Sequence, residues 1–92
     1  MNLEGKYIEI NKNNVETIIT FLYSKGYEWT RQKYKLDVAI YDISDEIHKN
    51  CTKLYLIILK DWFYYAYNKP KKETYIDYYI LIREEKLKRI LK

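Results

Sequence analysis

Two neighbouring runs of apolar and aromatic residues constrain the fold of this chain more than any other feature. The first run spans Leu54 to Leu59, and the second spans Trp62 to Tyr67. Such runs favour the two strands of a β-hairpin that turns near residues 60 to 62. Both faces of the first strand are apolar, whereas an antiparallel sheet covered by one helix needs only one apolar face. The second face is therefore either covered by another element or kept for a partner.

The pairing of the two strands decides which side chains share a face. With residues 61 and 62 as the loop, Ile58 pairs with Tyr65. Because side chains alternate along a strand, this pairing predicts two sets of residues. One face carries Leu54, Leu56, Ile58, Phe63, Tyr65 and Tyr67, and the other carries Tyr55, Ile57, Leu59, Tyr64 and Ala66.

Residues 14 to 25 predict an amphipathic helix that covers one face of this sheet. Four apolar residues recur there at i, i+3, i+4 and i+7, which places them on one stripe. Asn13 is a suitable N-cap, and Glu16 follows three residues later, as in a capping box. Gly26 is the expected C′ residue, because glycine adopts the left-handed conformation without a steric penalty. The stripe, which we expect to pack against the sheet face of Leu54, Leu56 and Ile58, consists of Val15, Ile18, Ile19 and Leu22.

The rest of the first half alternates between extended and polar segments. Residues 6 to 10 and 27 to 29 follow the period of two that is typical of strands. The polar stretch over residues 30 to 35 is interpreted as a basic loop. Residues 36 to 40 alternate in the same way and predict a half-buried strand. Residues 42 to 53 predict an irregular connection or a single helical turn.

The last third of the chain predicts a turn, a strand and a terminal helix. Residues 68 to 73 contain the single proline, which stops the preceding strand. Residues 75 to 82 are rich in β-forming types, and residues 84 to 92 carry acids first and lysines later, which complements a helix dipole. The predicted order is β-α-β-β-β-β-α. We therefore predict one α+β domain over residues 1–92, with a small antiparallel sheet packed by one amphipathic helix and a short C-terminal helix.

Net charge, apolar runs and cysteine content limit the cellular compartments in which the chain is expected to work. Its 17 Lys and Arg against 13 Asp and Glu give a net charge of +4, which lacks the dense field of a DNA-packaging protein. The longest apolar run has 6 residues, far fewer than the roughly 20 that span a bilayer. The first residues include an acid, Glu4, where a secretory signal would be basic. A lone cysteine, Cys51, is typical of a reducing compartment, so we predict a cytoplasmic protein that needs no membrane, disulfide, metal or cofactor.

Codon usage explains part of the composition. Phe, Tyr, Met, Ile, Asn and Lys account for 48 of the 92 residues, whereas Gly, Ala, Arg and Pro account for 8. The first group is specified by AT-rich codons, which indicates a low-GC bacterium such as a Firmicute, or a phage or mobile element living in one. The same bias raises the numbers of Lys and Tyr irrespective of their function.

One short spacing resembles a metal or nucleophile motif. His48 and Cys51 are three positions apart, but two ligands do not complete a zinc site, and no other His or Cys exists. Asp42, Asp45 and Glu46 could add oxygens, but a solvated polar loop explains them better. Cysteine–histidine catalysis also needs a third group that orients the base. We therefore interpret Cys51 as a small apolar residue and predict that the protein is not an enzyme.

Tyrosines interleaved with lysines form the main candidate surface for binding. Tyr and Trp are enriched at protein interfaces because they bury a large area with few rotatable bonds and keep a polar end. Aromatic rings beside lysines also suit single-stranded nucleic acid or nucleotides, where rings stack on bases. A solvated surface shaped only by codon bias is the simplest interpretation, ahead of both. The candidate binding residues are Tyr55, Tyr64, Tyr67, Lys69, Lys71 and Lys72.

The segment Phe21 to Trp29 carries a recognisable pattern, FL...GY.W, between a helix and a strand. With the order of the elements, this pattern resembles small phage and prophage proteins of Firmicutes. The resemblance implies that Gly26 caps the helix and that Tyr27 and Trp29 dock on its apolar stripe. It implies no catalytic residue. Proteins of this kind include inhibitors of host defence systems, anti-CRISPR proteins among them.

Two functions follow as expectations. The first is a stoichiometric binding inhibitor of mobile-element origin that acts on a host protein or ribonucleoprotein complex in the host cytoplasm. The alternative is a small nucleic-acid or nucleotide-binding protein, either a regulator or a sponge for a signalling nucleotide. Lysines that alternate with acids, rather than forming a basic stripe, favour the protein partner. Whether the chain also pairs as a homodimer stays open.

Overall fold

The computed structural model describes residues 2–30 and 32–90, with only the backbone described at positions 85 and 87–90. Arg31 of the predicted basic loop and residues 91–92 of the predicted terminal helix lie outside the described residues. The architecture is α+β with a short C-terminal helix, as predicted. No helix in the described part of the chain is long and apolar enough to cross a membrane. The elements are β1 (Lys6–Asn11), α1 (Val15–Ser24), β2 (Glu28–Trp29), α2 (Leu36–Asn50), β3 (Lys53–Ile58), β4 (Trp62–Ala66), β5 (Thr74–Tyr75) and α3 (Tyr78–Ile90).

The five strands form one mixed sheet in the order β2-β4-β3-β1-β5. β3 is antiparallel to both of its neighbours, β1 and β4. The two edge strands are parallel to theirs, since β2 runs with β4 and β5 runs with β1. The prediction of an antiparallel sheet is therefore correct for the three central strands and wrong for the edges. α1 returns the chain to the end of the sheet where β1 began, which is how a parallel strand is reached.

The helices pack on one face of this sheet. All four residues of the predicted α1 stripe are buried, and they belong to one apolar cluster with Leu54, Leu56 and Ile58. Phe63 of β4 is fully buried in the same cluster. Tyr27 also lies within this cluster and Trp29 packs against it, as the resemblance implied. The predicted contact between the helix stripe and this sheet face is thus confirmed.

The start of α1 differs from the prediction by one residue. Asn14 rather than Asn13 occupies the N-cap position, and no side chain caps the first turn of the helix. The Asn14 amide oxygen instead accepts a hydrogen bond from the Asn11 N–H at 2.8 Å, and the Asn13 N–H donates to the Asn11 side chain at 2.8 Å. These polar groups close the turn between β1 and α1, so the predicted capping box with Glu16 does not form.

The end of α1 is closed by Gly26, as predicted. This glycine has a φ of +92°. Its N–H donates to the Tyr23 carbonyl at 3.1 Å, while the Tyr27 N–H donates to the Leu22 carbonyl at 3.0 Å. This pair of hydrogen bonds is the Schellman motif, which satisfies carbonyl groups that the helix itself leaves unpaired.

Replacing Gly26 with alanine is expected to lower the free energy of unfolding by about 1 to 2 kcal/mol, the cost of a left-handed L-residue. A Cβ at this position would meet no atom within 4 Å, so the cost comes from the backbone alone. Urea denaturation measures it. Thr20→Ala, at an exposed position of α1, is the matched control and should lose no stability. An unchanged midpoint for Gly26→Ala would show that this helix ends differently.

The predicted strand at residues 36 to 40 and the irregular segment that follows are wrong, because both belong to α2. Alternation over five residues placed Val38 inside, yet it is 38% exposed. The true buried positions are Ala39, Ile43 and Ile47, spaced by four residues, with Leu36 packed against the same cluster. Over a longer window the apolar residues show the helical period, whereas over five residues they also fit a strand.

The predicted strand at residues 75 to 82 is also wrong for most of its length. β5 contains only two residues, and α3 begins at Tyr78, six residues before the predicted start of the terminal helix. Asp77 explains the early start, because its carboxylate accepts a hydrogen bond from the Tyr79 N–H at 2.8 Å, as an N-cap does. Burial of Leu81 in the core holds this helix against the sheet.

The β3–β4 hairpin forms as predicted, but its register differs by two residues. Ile58 pairs with Phe63 rather than with Tyr65. The loop consists of residues 60 and 61, and the Leu59 N–H donates to the Trp62 carbonyl at 2.8 Å. A shift of two residues keeps every side chain on its predicted face. Leu54, Leu56, Ile58 and Phe63 pack in the core beneath the helices, with Tyr65 against it, while Tyr55, Ile57, Tyr64 and Ala66 lie together in a second cluster.

Candidate interaction surface

The face of the sheet opposite α1 and α2 is aromatic, and we call it the open face. It carries the cluster of Tyr7, Tyr55 and Ile57, against which Tyr64 and Ala66 pack. Aromatic rings are in contact along this face, with centroids 6.0 Å apart for Tyr7 and Tyr55. The hairpin residues on this face are those that the sequence predicted for the side kept for a partner or covered by another element.

A seven-residue crossover, residues 67–73, connects β4 to β5. These two strands run in the same direction and are separated in the sheet by β3 and β1, so the chain has to cross both of them. Lys69 of the crossover borders a cavity with Tyr7 and Tyr55, which places the crossing over the open face. The crossover accounts for the burial of Tyr7 and Tyr55, which are 4% and 8% exposed on a face that no helix covers.

On the β4 side, the open face carries two aromatic side chains that are partly exposed. We call this part the aromatic corner, formed by Trp62 and Tyr64, whose ring centroids are 5.9 Å apart. Both side chains are half-buried, so each packs on the sheet and still presents surface to solvent. The Tyr64 side chain also packs against the cluster that contains Ile57, the residue with which Tyr64 is paired across the hairpin. The sheet therefore supports the aromatic corner from below.

The cavity under the crossover has a volume of about 450 Å³ and is lined by Tyr7, Glu9, Lys53, Tyr55, Lys69 and Tyr75. We call it the crossover cavity. The Lys53 ammonium lies 3.3 Å from the Glu9 carboxylate and 5.9 Å from the centre of the Tyr55 ring. The hydrogen bond to Glu9 raises the pKa of Lys53. Burial, with the nearby charges of Asp77 and Glu9, raises the pKa of the Tyr75 hydroxyl.

The structure places the candidate binding residues on both sides of the sheet, as the predicted faces of the hairpin implied for its tyrosines. Tyr55, Tyr64 and Lys69 belong to the open face. Tyr67 follows the alternation of β4 to the other side, where its hydroxyl donates a hydrogen bond to the Glu46 carboxylate of α2. This hydrogen bond raises the pKa of Tyr67. Lys71 and Lys72 are exposed on the crossover.

Sequence reasoning missed several residues of the open face. Tyr7 and Glu9 could have been found, because they alternate with the apolar residues Ile8 and Ile10 of β1. Tyr75 could not, since it reaches this face only through the parallel pairing of β5 with β1. The partners of a parallel strand are not adjacent in sequence, so no local pattern indicates them.

A second row of aromatic rings runs along the β2 edge of the sheet, on the side of the helices. Tyr34, Trp29, Tyr65 and Tyr67 follow one another with centroid distances of 5.2, 6.2 and 5.8 Å. The Tyr23 hydroxyl holds this edge, because it accepts from the Trp29 N–H and donates to the Tyr34 carbonyl. Burial raises the pKa of the Tyr23 hydroxyl. The row thus fixes the connection between α1 and α2.

Cys51 and His48 border the same cavity at the end of α2, and in the described part of the chain they do not belong to a group of three or more potential metal ligands. His48 is exposed near the end of α2, and the Cys51 thiol donates to the Glu46 carbonyl at 3.5 Å. Burial raises the pKa of the Cys51 thiol, which is opposite to the activation that a thiolate nucleophile needs. Among residues 2–30 and 32–90 no group of three or more His, Cys, Asp and Glu side chains could hold a metal ion.

Comparison of the chain with protein families, with curated proteins and with solved structures gives no match. The similarity to small phage proteins of Firmicutes therefore stays a prediction from the pattern of residues 21–29. Function has to be argued from the surfaces of the chain itself.

Proposed function

We propose that the chain is a stoichiometric binding protein that blocks a component of host defence, in the manner of anti-CRISPR proteins. Its partner is a host protein or ribonucleoprotein complex in the host cytoplasm. The observation that carries the proposal is the aromatic corner, where Trp62 and Tyr64 lie side by side and half-buried on a sheet that supports them. Side chains of this kind, held in place before binding, anchor protein interfaces and supply much of their energy.

The charge around the aromatic corner favours a protein as the partner. On the open face Lys53 is paired with Glu9, and on the crossover Lys72 is followed directly by Glu73. Beside the corner itself, Glu28 is paired with Trp62 across the sheet, and the hairpin turn carries Lys60 and Asp61. Nucleic-acid binders concentrate their lysines and arginines on one face or along one helix. Mixed signs around aromatic residues match the polar rim of a protein interface instead.

The direct test is capture of the partner followed by a functional assay. A tagged chain is used to recover proteins from the lysate of a low-GC host, and the recovered partner is purified and mixed with the chain. We expect a complex of fixed stoichiometry by light scattering and loss of the partner's activity at equimolar ratio. Light scattering of the chain alone shows whether a homodimer is the binding unit. A partner that remains fully active in the complex would contradict inhibition.

Salt and nuclease treatment separate this proposal from the nucleic-acid alternative. A complex formed through several phosphates weakens by about 10³- to 10⁵-fold between 50 and 200 mM salt, because counterions are released on binding. A protein complex centred on aromatic residues should keep its affinity within about tenfold over that range, since its main energy is apolar burial. We also expect the captured protein to stay bound after nuclease digestion of the lysate.

A further inference from the structure

We propose that the crossover cavity binds a nucleotide, meaning a planar heterocyclic base that carries a sugar and phosphate. This site differs from the aromatic corner in residues and in ligand, and it goes beyond the proposed function. Its volume of about 450 Å³ lies within the range of small-molecule sites, roughly 300 to 1,000 Å³. The lining combines aromatic rings, two lysines and one carboxylate, which supply the three kinds of contact that a nucleotide requires.

Aromatic rings provide the surface for the base. Tyr7 lies beneath the crossover as a buried floor, whereas Tyr75 on β5 is 50% exposed. Their centroids are 5.5 Å apart and their planes are inclined by 54°, so one face of Tyr75 is not covered by Tyr7. A base that stacks on this face would gain energy irrespective of its identity, because every base has a π-face.

Two lysines provide the charge for the phosphate. Lys53 projects from β3 and Lys69 from the crossover, and both border the same cavity. Glu9 neutralises one of these charges, which leaves the lining with one net positive charge. The Lys53 ammonium has three donors, so it can hold Glu9 and a phosphate oxygen together. Glu9 in turn has acceptor positions for a ribose hydroxyl or an exocyclic amino group.

The crossover explains why these groups meet only in the folded chain. Lys69 comes from the segment after β4, Glu9 from β1 and Tyr75 from β5. Of the three lysines of the crossover, only Lys69 lines the cavity, whereas Lys71 and Lys72 are exposed to solvent. Lys69→Ala and Lys71→Ala are therefore matched variants. The first removes a lysine from the site, and the second removes a neighbouring lysine outside it.

Isothermal titration calorimetry with AMP, ATP, GMP and GTP tests the proposal, with adenosine and inorganic phosphate as partial ligands. We expect at least one nucleotide to bind, and to bind more tightly than either partial ligand. Loss of a stacked ring in Tyr75→Ala should weaken binding by about 5- to 150-fold, the range for one stacked base. Lys69→Ala should weaken it by roughly tenfold or more, as expected for a hydrogen bond to a charged group. Lys71→Ala should bind as the unchanged chain does.

Further variants keep the result interpretable. Tyr75→Trp retains a ring for stacking and should restore most of the affinity lost in Tyr75→Ala. Thermal melting shows that each variant is folded, which is expected because Tyr75 and Lys69 are largely exposed. Absence of binding by all four nucleotides at millimolar concentration would overturn the proposal. Binding that survives both Tyr75→Ala and Lys69→Ala, or binding of long oligonucleotides alone, would overturn it as well. None of these outcomes bears on partner binding at the aromatic corner.

Discussion

Leu22→Ala is expected to lower the free energy of unfolding by about 2 to 5 kcal/mol, the range for leucine truncation in a packed core. Leu22 has no exposed surface and belongs to the cluster that joins α1 to the sheet. Truncation removes favourable burial and leaves a cavity that the surrounding residues fill only in part. Urea denaturation measures the loss, with Thr20→Ala as the exposed control on the same helix. A loss below about 0.5 kcal/mol would show that this stripe does not face the core.

The size of this effect follows from how the chain is held together. A domain of this length has a stability of about 5 to 15 kcal/mol, so one core truncation removes a large share of it. The chain has a single cysteine, Cys51, so no internal disulfide supports the fold. α1 and α2 bury their stripes in the same cluster, so damage to Leu22 also loosens the contact between these helices. We therefore expect a cooperative loss of the whole fold.

Local periodicity predicted the elements that are long and strictly patterned. The α1 stripe repeats over two turns and ends at Gly26, and both features are found where the sequence indicated them. The faces of the hairpin were also predicted correctly despite the wrong register, because an error of two residues does not change the side of a strand. The repeat of the apolar residues and the face on which each side chain lies can thus be predicted from neighbouring residues in the sequence.

The predictions made from short or ambiguous sequence windows were wrong for a physical reason. Five alternating residues from Leu36 fit a strand, yet the burial of Ile43 and Ile47 further along decides for a helix. Residues 75 to 82 have high β-propensity, but Asp77 caps a helix and Leu81 buries one face of it. Tertiary burial outweighs intrinsic propensity when the two disagree, because propensities differ by only about 1 kcal/mol.

The candidate surface was only half predictable. The sequence indicated that Tyr55 and Tyr64 share one sheet face, which the structure shows, and left open whether another element or a partner covers it. The crossover cavity depends on the position of β5 beside β1, which brings Tyr75 and Lys69 to Glu9. Strand order is set by long-range packing rather than by any local pattern, so the cavity was beyond sequence reasoning.

The second large effect concerns partner binding and separates two tyrosines that were both candidate binding residues but lie on opposite faces of the hairpin. Tyr64→Ala should weaken binding of the captured partner by about 2 kcal/mol or more, roughly 30-fold, as expected for a central aromatic anchor. Tyr67→Ala should change it by less than about threefold, because Tyr67 lies on the other side of β4 and engages Glu46. Surface plasmon resonance with the purified partner measures both variants.

The contrast between these variants tests the surface rather than the fold. Tyr64→Phe keeps the ring and should retain most of the affinity, while thermal melting shows whether Tyr64→Ala still folds around the open-face cluster. Neutralising Lys69, Lys71 and Lys72 together should have little effect on the partner, although Lys69 alone matters for the nucleotide. Equal losses for Tyr64→Ala and Tyr67→Ala would place the partner across both sides of β4 and contradict a single aromatic corner. A large loss only for the three lysines would favour a phosphate-bearing partner, since exposed lysines contribute little to a protein interface dominated by aromatic anchors.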